Sequence, residues 1–82
     1  MKTVYLRAGF MCDEELAHEY LQEMLELPDY YGKNLDALYD CLTSFPEMEI
    51  VVFEQESPYW RRVKKVFLQA AIENEKIKVT FI

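Results

Sequence analysis

Three short apolar stretches of the chain have the pattern of β-strands. Residues 3–7 are rich in β-branched and aromatic side chains, and residues 77–82 alternate apolar with polar positions. Residues 49–54 hold four consecutive apolar residues between acidic ends, which is typical of a central strand covered on both faces. The pattern therefore predicts a sheet of three strands.

Three stretches between these strands have helical periodicity. Asp13 can cap the first helix, and Pro28 ends it. Asn34 can cap the second, and Ser57 followed by Pro58 can begin the third, which Asn74 can end. The apolar positions predicted to face the core are Leu16, Tyr20, Met24 and Leu27 in the first helix, Leu35, Leu38 and Leu42 in the second, and Trp60, Val63, Phe67 and Ala70 in the third.

The order of elements is therefore strand, helix, helix, strand, helix, strand. This order favours a small α/β fold, in which a three-stranded parallel sheet with right-handed crossovers packs against about three helices. The chain has 82 residues and a mass of 9.8 kDa, so we expect one domain over residues 1–82.

Composition and charge narrow the classes of function. Hydrophobic residues make up 51% of the chain, which excludes a disordered protein. The net charge of −6 argues against binding to nucleic acid or to an anionic membrane surface, and it suits a partner that is a basic protein. No apolar run is long enough for an export signal or a membrane span, so we expect a cytoplasmic location.

The acidic residues are concentrated in one part of the chain. Residues 8–57 contain 13 acidic side chains and one basic one, Lys33, for a net charge of −12. Residues 58–82 contain six basic and two acidic side chains, which gives the third helix a basic outer face. We interpret that basic face as an ordinary solvated surface.

The residues that could bind metal or perform catalysis are few and scattered. Cys12 and Cys41 lie far apart in sequence, and with His18 they supply too few ligands for a structural zinc site. We expect both cysteines to be reduced and partly buried, His18 to lie on the surface, and Trp60 to lie in the core. The sequence predicts no metal and no cofactor.

Residues 27–45, LPDYYGKNLDALYDCLTSF, depart from this generic pattern. If Leu35, Leu38 and Leu42 point inward, Asp36 and Asp40 become neighbours on the opposite face of the helix, beside Tyr39. Gly32 supplies the backbone freedom that a tight turn into the helix often needs. The face could be merely polar, or it could be a recognition surface in which tyrosines give contact area and carboxylates pair with cations.

This segment resembles the barstar family of intracellular ribonuclease inhibitors through LPxYYGxNLDAL, an aromatic residue and DCLT. The last helix and strand are also similar to those of the family. The resemblance implies an inhibitor that plugs the active site of a basic, barnase-like ribonuclease with this helix and the preceding loop, and that has no small-molecule substrate. It also implies that acidic side chains stand in for RNA phosphates.

The resemblance assigns particular roles by position. Asp40 matches the central aspartate that occupies the phosphate site of the enzyme, Asp36 matches a flanking aspartate, and Tyr30 matches a tyrosine of the binding loop. Lys33 and Gln69 stand where the family has acidic residues, which favours a related ribonuclease over barnase itself. The predicted contact residues are Tyr30, Gly32, Lys33, Asn34, Leu35, Asp36, Tyr39, Asp40, Thr43, Phe45 and Gln69.

Two other functions fit the sequence less well. An acidic interaction module with the same fold could bind a partner that is not a nuclease, and the residues at positions 33 and 69 motivate that alternative. Asp36 and Asp40 could also act as a catalytic carboxylate pair, but an exposed helix offers no cleft in which they would flank a substrate. We therefore expect no enzymatic activity.

Overall fold

The computed structural model describes residues 2–82, and its strands and helices follow the predicted order. The strands are β1 (Lys2–Arg7), β2 (Met48–Phe53) and β3 (Ile77–Phe81), and the helices are α1 (Glu14–Met24), α2 (Leu35–Thr43) and α3 (Pro58–Glu73). A short 3₁₀ turn at Ala8–Phe10, which we did not predict, follows β1. No helix in the described range is long and apolar enough to cross a membrane.

The three strands form one parallel sheet in the order β1-β2-β3, with β2 at the centre. In the register of this sheet, Val4 of β1 lies beside Ile50 of β2, and Ile50 lies beside Val79 of β3. The predicted α/β fold with a three-stranded parallel sheet and three helices is confirmed. The helices α2 and α3 pack against each other over the sheet, and that packing positions the candidate site.

Local side-chain caps explain where the helices begin. The backbone N–H of Leu16 donates to Asp13 Oδ1 at 2.9 Å, and that of Trp60 donates to Ser57 Oγ at 3.4 Å. These bonds satisfy N–H groups that have no partner within the first turn of a helix. Asn74 is the C-terminal cap of α3, so the predicted boundaries of this helix are confirmed.

The buried face of α1 differs from the prediction. Leu16 is 54% exposed and Met24 is also exposed, whereas Ala17, His18 and Leu21 are fully buried. The prediction of a surface position for His18 was therefore wrong. The imidazole can occupy the core because two tyrosine hydroxyls from other segments hydrogen-bond to its nitrogens.

Only one face of the sheet is covered by helices. Leu6, Ile50 and Val52 are fully buried on the covered face, whereas Tyr5 and Phe53 are exposed on the other. Val51, which lies beside Tyr5 on this outer face, is nevertheless buried, although it is not part of the core cluster. The prediction that β2 is covered on both faces therefore holds at Val51 and fails at Phe53. The rings of Tyr5 and Phe53 stack with their centroids 6.3 Å apart, so aromatic contacts partly shield the outer face.

The cysteines and the tryptophan were predicted with mixed success. Both cysteines are free, and Cys41 is partly buried as predicted, but Cys12 is exposed. Trp60 is buried in the core, as predicted, and its ring lies against that of Phe81 with centroids 5.8 Å apart. Within residues 2–82, no group of three or more His, Cys, Asp or Glu side chains is arranged to hold a metal ion.

Candidate functional site

The helix α2 presents a polar face because its apolar side chains are drawn into the core. Leu38 and Leu42 are fully buried, whereas Leu35 is only partly buried and packs against the edge of the core. Asp36 and Asp40 are exposed on the opposite side, with Tyr39 half-buried between the two surfaces. The predicted face of two carboxylates and a tyrosine is therefore present.

The carboxylates of Asp36 and Asp40 are available to a partner. Among residues 2–82, the ion pairs are formed by Lys2 with Glu26, by Arg61 with Glu56 and by Lys64 with Glu54, so neither aspartate of α2 belongs to one. Like charges four residues apart on a helix repel each other by a few tenths of a kcal/mol. Asp36 offsets part of this cost because it lies in the first turn, near the positive end of the helix dipole.

The two adjacent tyrosines of the loop before α2 have opposite environments. Tyr30 is 88% exposed, whereas Tyr31 is 5% exposed and its hydroxyl lies 2.5 Å from His18 Nδ1. One aromatic ring is thus anchored in the core, and its neighbour is presented to solvent. An exposed tyrosine on an anchored loop gives a partner a large contact area at little entropic cost.

The turn into α2 has its unusual backbone at Lys33, not at Gly32. Lys33 has a φ of 54°, in the left-handed region, while Gly32 does not have a positive φ. A Cβ atom at Gly32 would lie 3.2 Å from Asn34 Nδ2 and 3.3 Å from Ala37 Cβ. Gly32 is therefore favoured by close packing rather than by the conformational freedom that we predicted.

Asn34 holds the end of this turn to the helix. Its side-chain Oδ1 accepts a hydrogen bond from the N–H of Ala37 at 2.8 Å, and its Nδ2 donates to the carbonyl of Gly32 at 3.2 Å. Both polar atoms of the amide are thus used within the turn. Asn34 contributes to the predicted site by fixing the path of the loop into α2.

The C-terminal part of α2 is more involved in structure than the prediction implied. The hydroxyl of Thr43 donates to the carbonyls of Tyr39 and Asp40, at 2.9 and 3.0 Å. Phe45 is half-buried and packs against the core. These two residues support the end of the helix, while the exposed acidic face lies at Asp36 and Asp40.

A groove between α2 and α3 adjoins the acidic face. It has a volume of about 520 Å³. Gln69, the predicted contact on α3, lies on one wall and Asp36 on the other, so the structure brings together site residues from both helices. The complete lining is Leu35, Asp36, Tyr39, Lys65, Val66, Leu68 and Gln69.

The sequence reasoning missed an apolar strip on the outer side of this groove. Leu68 is exposed, and Ile72, one helical turn further along α3, is 77% exposed. Together with Tyr39 they surround the region near Gln69. The two residues lie outside the buried stripe of α3, and their apolar character at exposed positions is the feature that could have identified them.

The sequence of the chain is similar to those of known proteins. A family model described as Barstar (barnase inhibitor) matches residues 1–82. A Bacillus subtilis (strain 168) protein named "Putative ribonuclease inhibitor YrdF" is 47% identical over 38 residues, which are 46% of this chain and 42% of that relative. The match thus spans less than half of the relative's length. Because the family model covers the whole chain, this protein belongs to the Barstar family.

Proposed function

We propose that this protein inhibits a barnase-like ribonuclease, and that α2 with the preceding loop blocks the active site of the enzyme. The observation that carries the proposal is the pair of exposed carboxylates, Asp36 and Asp40, on a helix whose opposite face is buried in the core. Membership of the Barstar family and the name of the Bacillus subtilis relative support an inhibitory role. In this proposal the protein acts in the cytoplasm and performs no chemistry.

The physical basis of the proposed inhibition is mimicry of RNA phosphates. An active site that cleaves RNA must offer cationic groups to the phosphate, and a carboxylate can form charge-assisted hydrogen bonds with the same groups. Asp40 occupies the central position in this proposal, Asp36 flanks it, and Tyr30 covers the adjacent surface of the enzyme. The concentration of acidic residues between positions 8 and 57 accelerates encounter with a basic enzyme at low ionic strength.

The rim of the surface determines which ribonuclease is bound. Lys33 is an exposed cation beside the tyrosine of the loop, and Gln69 contributes no charge on α3. In this proposal the cognate enzyme is a relative of barnase that differs from it where it meets these positions. Charges at the rim of an interface act mainly on the association rate and on the choice of partner.

The proposal is tested by replacing Asp40 and a matched control. We expect Asp40→Ala to weaken inhibition of the cognate ribonuclease by about 2–5 kcal/mol, because cations of the enzyme are left buried without a partner. Its own stability should stay the same or rise slightly, since repulsion with Asp36 is removed. The assay is inhibition of RNA cleavage by a panel of barnase-like ribonucleases, at low and moderate salt.

Glu19→Ala is the control, because it removes the same charge from an exposed position on α1. Glu19 lies beside Phe10 and Leu16, away from the groove between α2 and α3. We expect it to slow association slightly and to leave the dissociation rate unchanged. Equal inhibition by wild type and Asp40→Ala would contradict the proposed mechanism.

Lys33 and Gln69 favour one alternative, an acidic interaction module whose partner is not a nuclease. In that case the wild-type protein would inhibit no ribonuclease of the panel at micromolar concentration. Capture on the immobilised protein, compared with capture on Asp40→Ala, would then recover a basic protein without RNA-cleaving activity. Nanomolar, salt-sensitive inhibition of one enzyme would exclude this alternative.

A further inference from the structure

His18 connects three segments that are far apart in sequence. Its side chain is fully buried. Nδ1 lies 2.5 Å from the hydroxyl of Tyr31 in the loop before α2, and Nε2 lies 2.6 Å from the hydroxyl of Tyr59 in the first turn of α3. One imidazole on α1 thus holds the loop on one side and α3 on the other.

Leu27 anchors the start of the loop in the core, and beyond it the loop has few other hydrogen bonds to the body of the protein. The amide of Gln22 on α1 donates to the carbonyl of Pro28 at 3.0 Å, at the start of the loop. The N–H of Tyr31 also donates to Pro28, which closes a turn within the loop itself. Nearer α2, the side chain of Asn34 donates to the carbonyl of Gly32 at 3.2 Å, again within the loop. The contact of Tyr31 with His18 is therefore the side-chain hydrogen bond that joins the middle of the loop to α1, next to the exposed Tyr30.

We propose that His18 is a positioning residue for the inhibitory loop: by holding Tyr31 it fixes the backbone that presents Tyr30 and Lys33 to the partner. The proposal rests on the proposed function, because the loop has a partner to meet only if that function holds. His18 itself touches no partner in this account. It acts through Tyr31.

The hydrogen bonds of His18 with Tyr31 and Tyr59 are sensitive to acid. A neutral imidazole donates from one nitrogen and accepts at the other, so one of the two tyrosines donates to it. A protonated imidazole donates from both nitrogens, and the tyrosine hydrogen that it formerly accepted must then point elsewhere in a buried site. Acid therefore reverses one of the two hydrogen bonds, and it leaves a tyrosine hydroxyl hydrogen without an acceptor and a positive charge in a buried site.

The charges around His18 come from all three segments. Burial lowers the pKa of His18, and the carboxylate of Glu14 on the same helix opposes this only in part. Burial also raises the pKa of Tyr31 and of Tyr59, so both hydroxyls stay protonated at neutral pH. Cys41 of α2 further raises the pKa of Tyr31. Glu14 further raises the pKa of Tyr59, and Arg62 lowers it.

The sign of the pH effect follows from these shifts. The folded protein holds a proton on His18 less readily than the unfolded chain, in which the pKa is about 6.5. The stability that the fold gains from a neutral His18 is therefore complete above that pH. It is lost as the pH falls through the lower pKa of His18 in the folded state. We expect the loop to loosen as the pH falls below about 6.5.

Two matched variants test the proposal on the free protein. Tyr31→Phe and Tyr59→Phe each remove one hydroxyl from the same imidazole, but only Tyr31 belongs to the loop. Hydrogen exchange of the amide of residue 31, which donates to the carbonyl of Pro28 at 2.9 Å, reports the closure of the loop as a protection factor. We expect Tyr31→Phe to lower this protection about five- to tenfold, and Tyr59→Phe to change it less than about twofold.

The dependence on pH separates positioning from a merely structural role. In the wild type, protection of the amide of residue 31 should fall as the pH is lowered from 7.5 to 5.5. His18→Gln has no titrating group, so protection should no longer depend on pH in this range. Constant protection in the wild type, or equal effects of Tyr31→Phe and Tyr59→Phe on the loop, would overturn the proposal.

Inhibition assays distinguish failure of this inference from failure of the proposed function. If a ribonuclease is inhibited, Tyr31→Phe should weaken its inhibition more than Tyr59→Phe does. The difference should shrink as the pH falls, because acid disturbs the contact of His18 with Tyr31 that only Tyr59→Phe retains. Inhibition without any effect of His18 on the loop would leave the function intact and refute the positioning role. Inhibition of no enzyme would refute the function, while the exchange measurements would still decide whether His18 holds the loop.

Discussion

Asn74 lies outside the acidic face of α2, and replacing it should strongly lower the stability of the fold. Its side-chain amide is buried where the ends of α2 and α3 meet. Nδ2 donates to the carbonyls of Leu42 and Phe45 at 3.0 and 3.1 Å, and Oδ1 accepts from the N–H of Lys76 at 3.0 Å. One side chain thus joins the end of α2 to the turn that leads into β3.

The size of the effect follows from these three hydrogen bonds. Each contributes about 0.5–1.5 kcal/mol net, and a buried carbonyl left without a donor adds a further penalty. We therefore expect Asn74→Ala to lower the free energy of unfolding by about 2–4 kcal/mol, out of roughly 4–12 kcal/mol for a domain of this size. In urea, with an m value of about 1–1.5 kcal/mol/M, the midpoint should fall by about 2 M.

Two further variants make this prediction refutable. Asn74→Asp has nearly the same shape but turns a carboxylate toward two carbonyl oxygens, so it should be at least as destabilising at pH 7 as the alanine variant. Glu75→Ala changes the neighbouring exposed residue and should alter stability by less than about 0.5 kcal/mol. A loss below about 1 kcal/mol for Asn74→Ala, or an Asn74→Asp variant as stable as wild type, would refute the hydrogen-bond account.

Two other predictions concern the backbone and the groove. Glu26→Gly should raise the melting temperature by about 3–6 °C, because Glu26 follows Leu25, the C-terminal cap of α1, with a φ of 53° that glycine adopts without strain. The exposed ion pair with Lys2 that the substitution removes is worth less than this gain. Thermal unfolding measures the effect, and an unchanged or lower melting temperature would contradict it. Leu68→Gln should leave the unfolding midpoint unchanged, because Leu68 is exposed. If the apolar strip beside Gln69 is covered in the complex, the same change should weaken inhibition of the cognate ribonuclease about tenfold. Equal inhibition by variant and wild type would place the strip outside the interface.

The features that the sequence predicted correctly depend on neighbours in the chain. Asp13, Asn34 and Ser57 cap helices by accepting hydrogen bonds from N–H groups only three residues away. The acidic face of α2 also follows from local spacing, because residues four apart on a helix lie side by side. The parallel sheet followed from the alternation of strands and helices along the chain.

The features that it missed depend on residues far away in the sequence. His18 is stable in the core only because Tyr31 and Tyr59 hydrogen-bond to it, and no periodicity within α1 reveals those partners. The exposed outer face of the sheet was also missed, because an apolar run indicates a central strand without saying how many layers cover it. Tyr5, on that face, is half shielded by a residue of another strand.

The parallel sheet has a consequence for how the protein folds. No two of its strands can pair through a short hairpin: Thr3 of β1 meets Glu49 of β2 across 46 positions, and α3 separates β2 from β3. Such non-local pairing requires closure of long loops before any contact is gained, so folding should be slower than that of a helical bundle of equal length. Because α2 lies within the first of these loops, an early intermediate without the β1–β2 pair has no anchored acidic helix. We therefore expect the acidic face of α2 to take its final position only as the sheet forms.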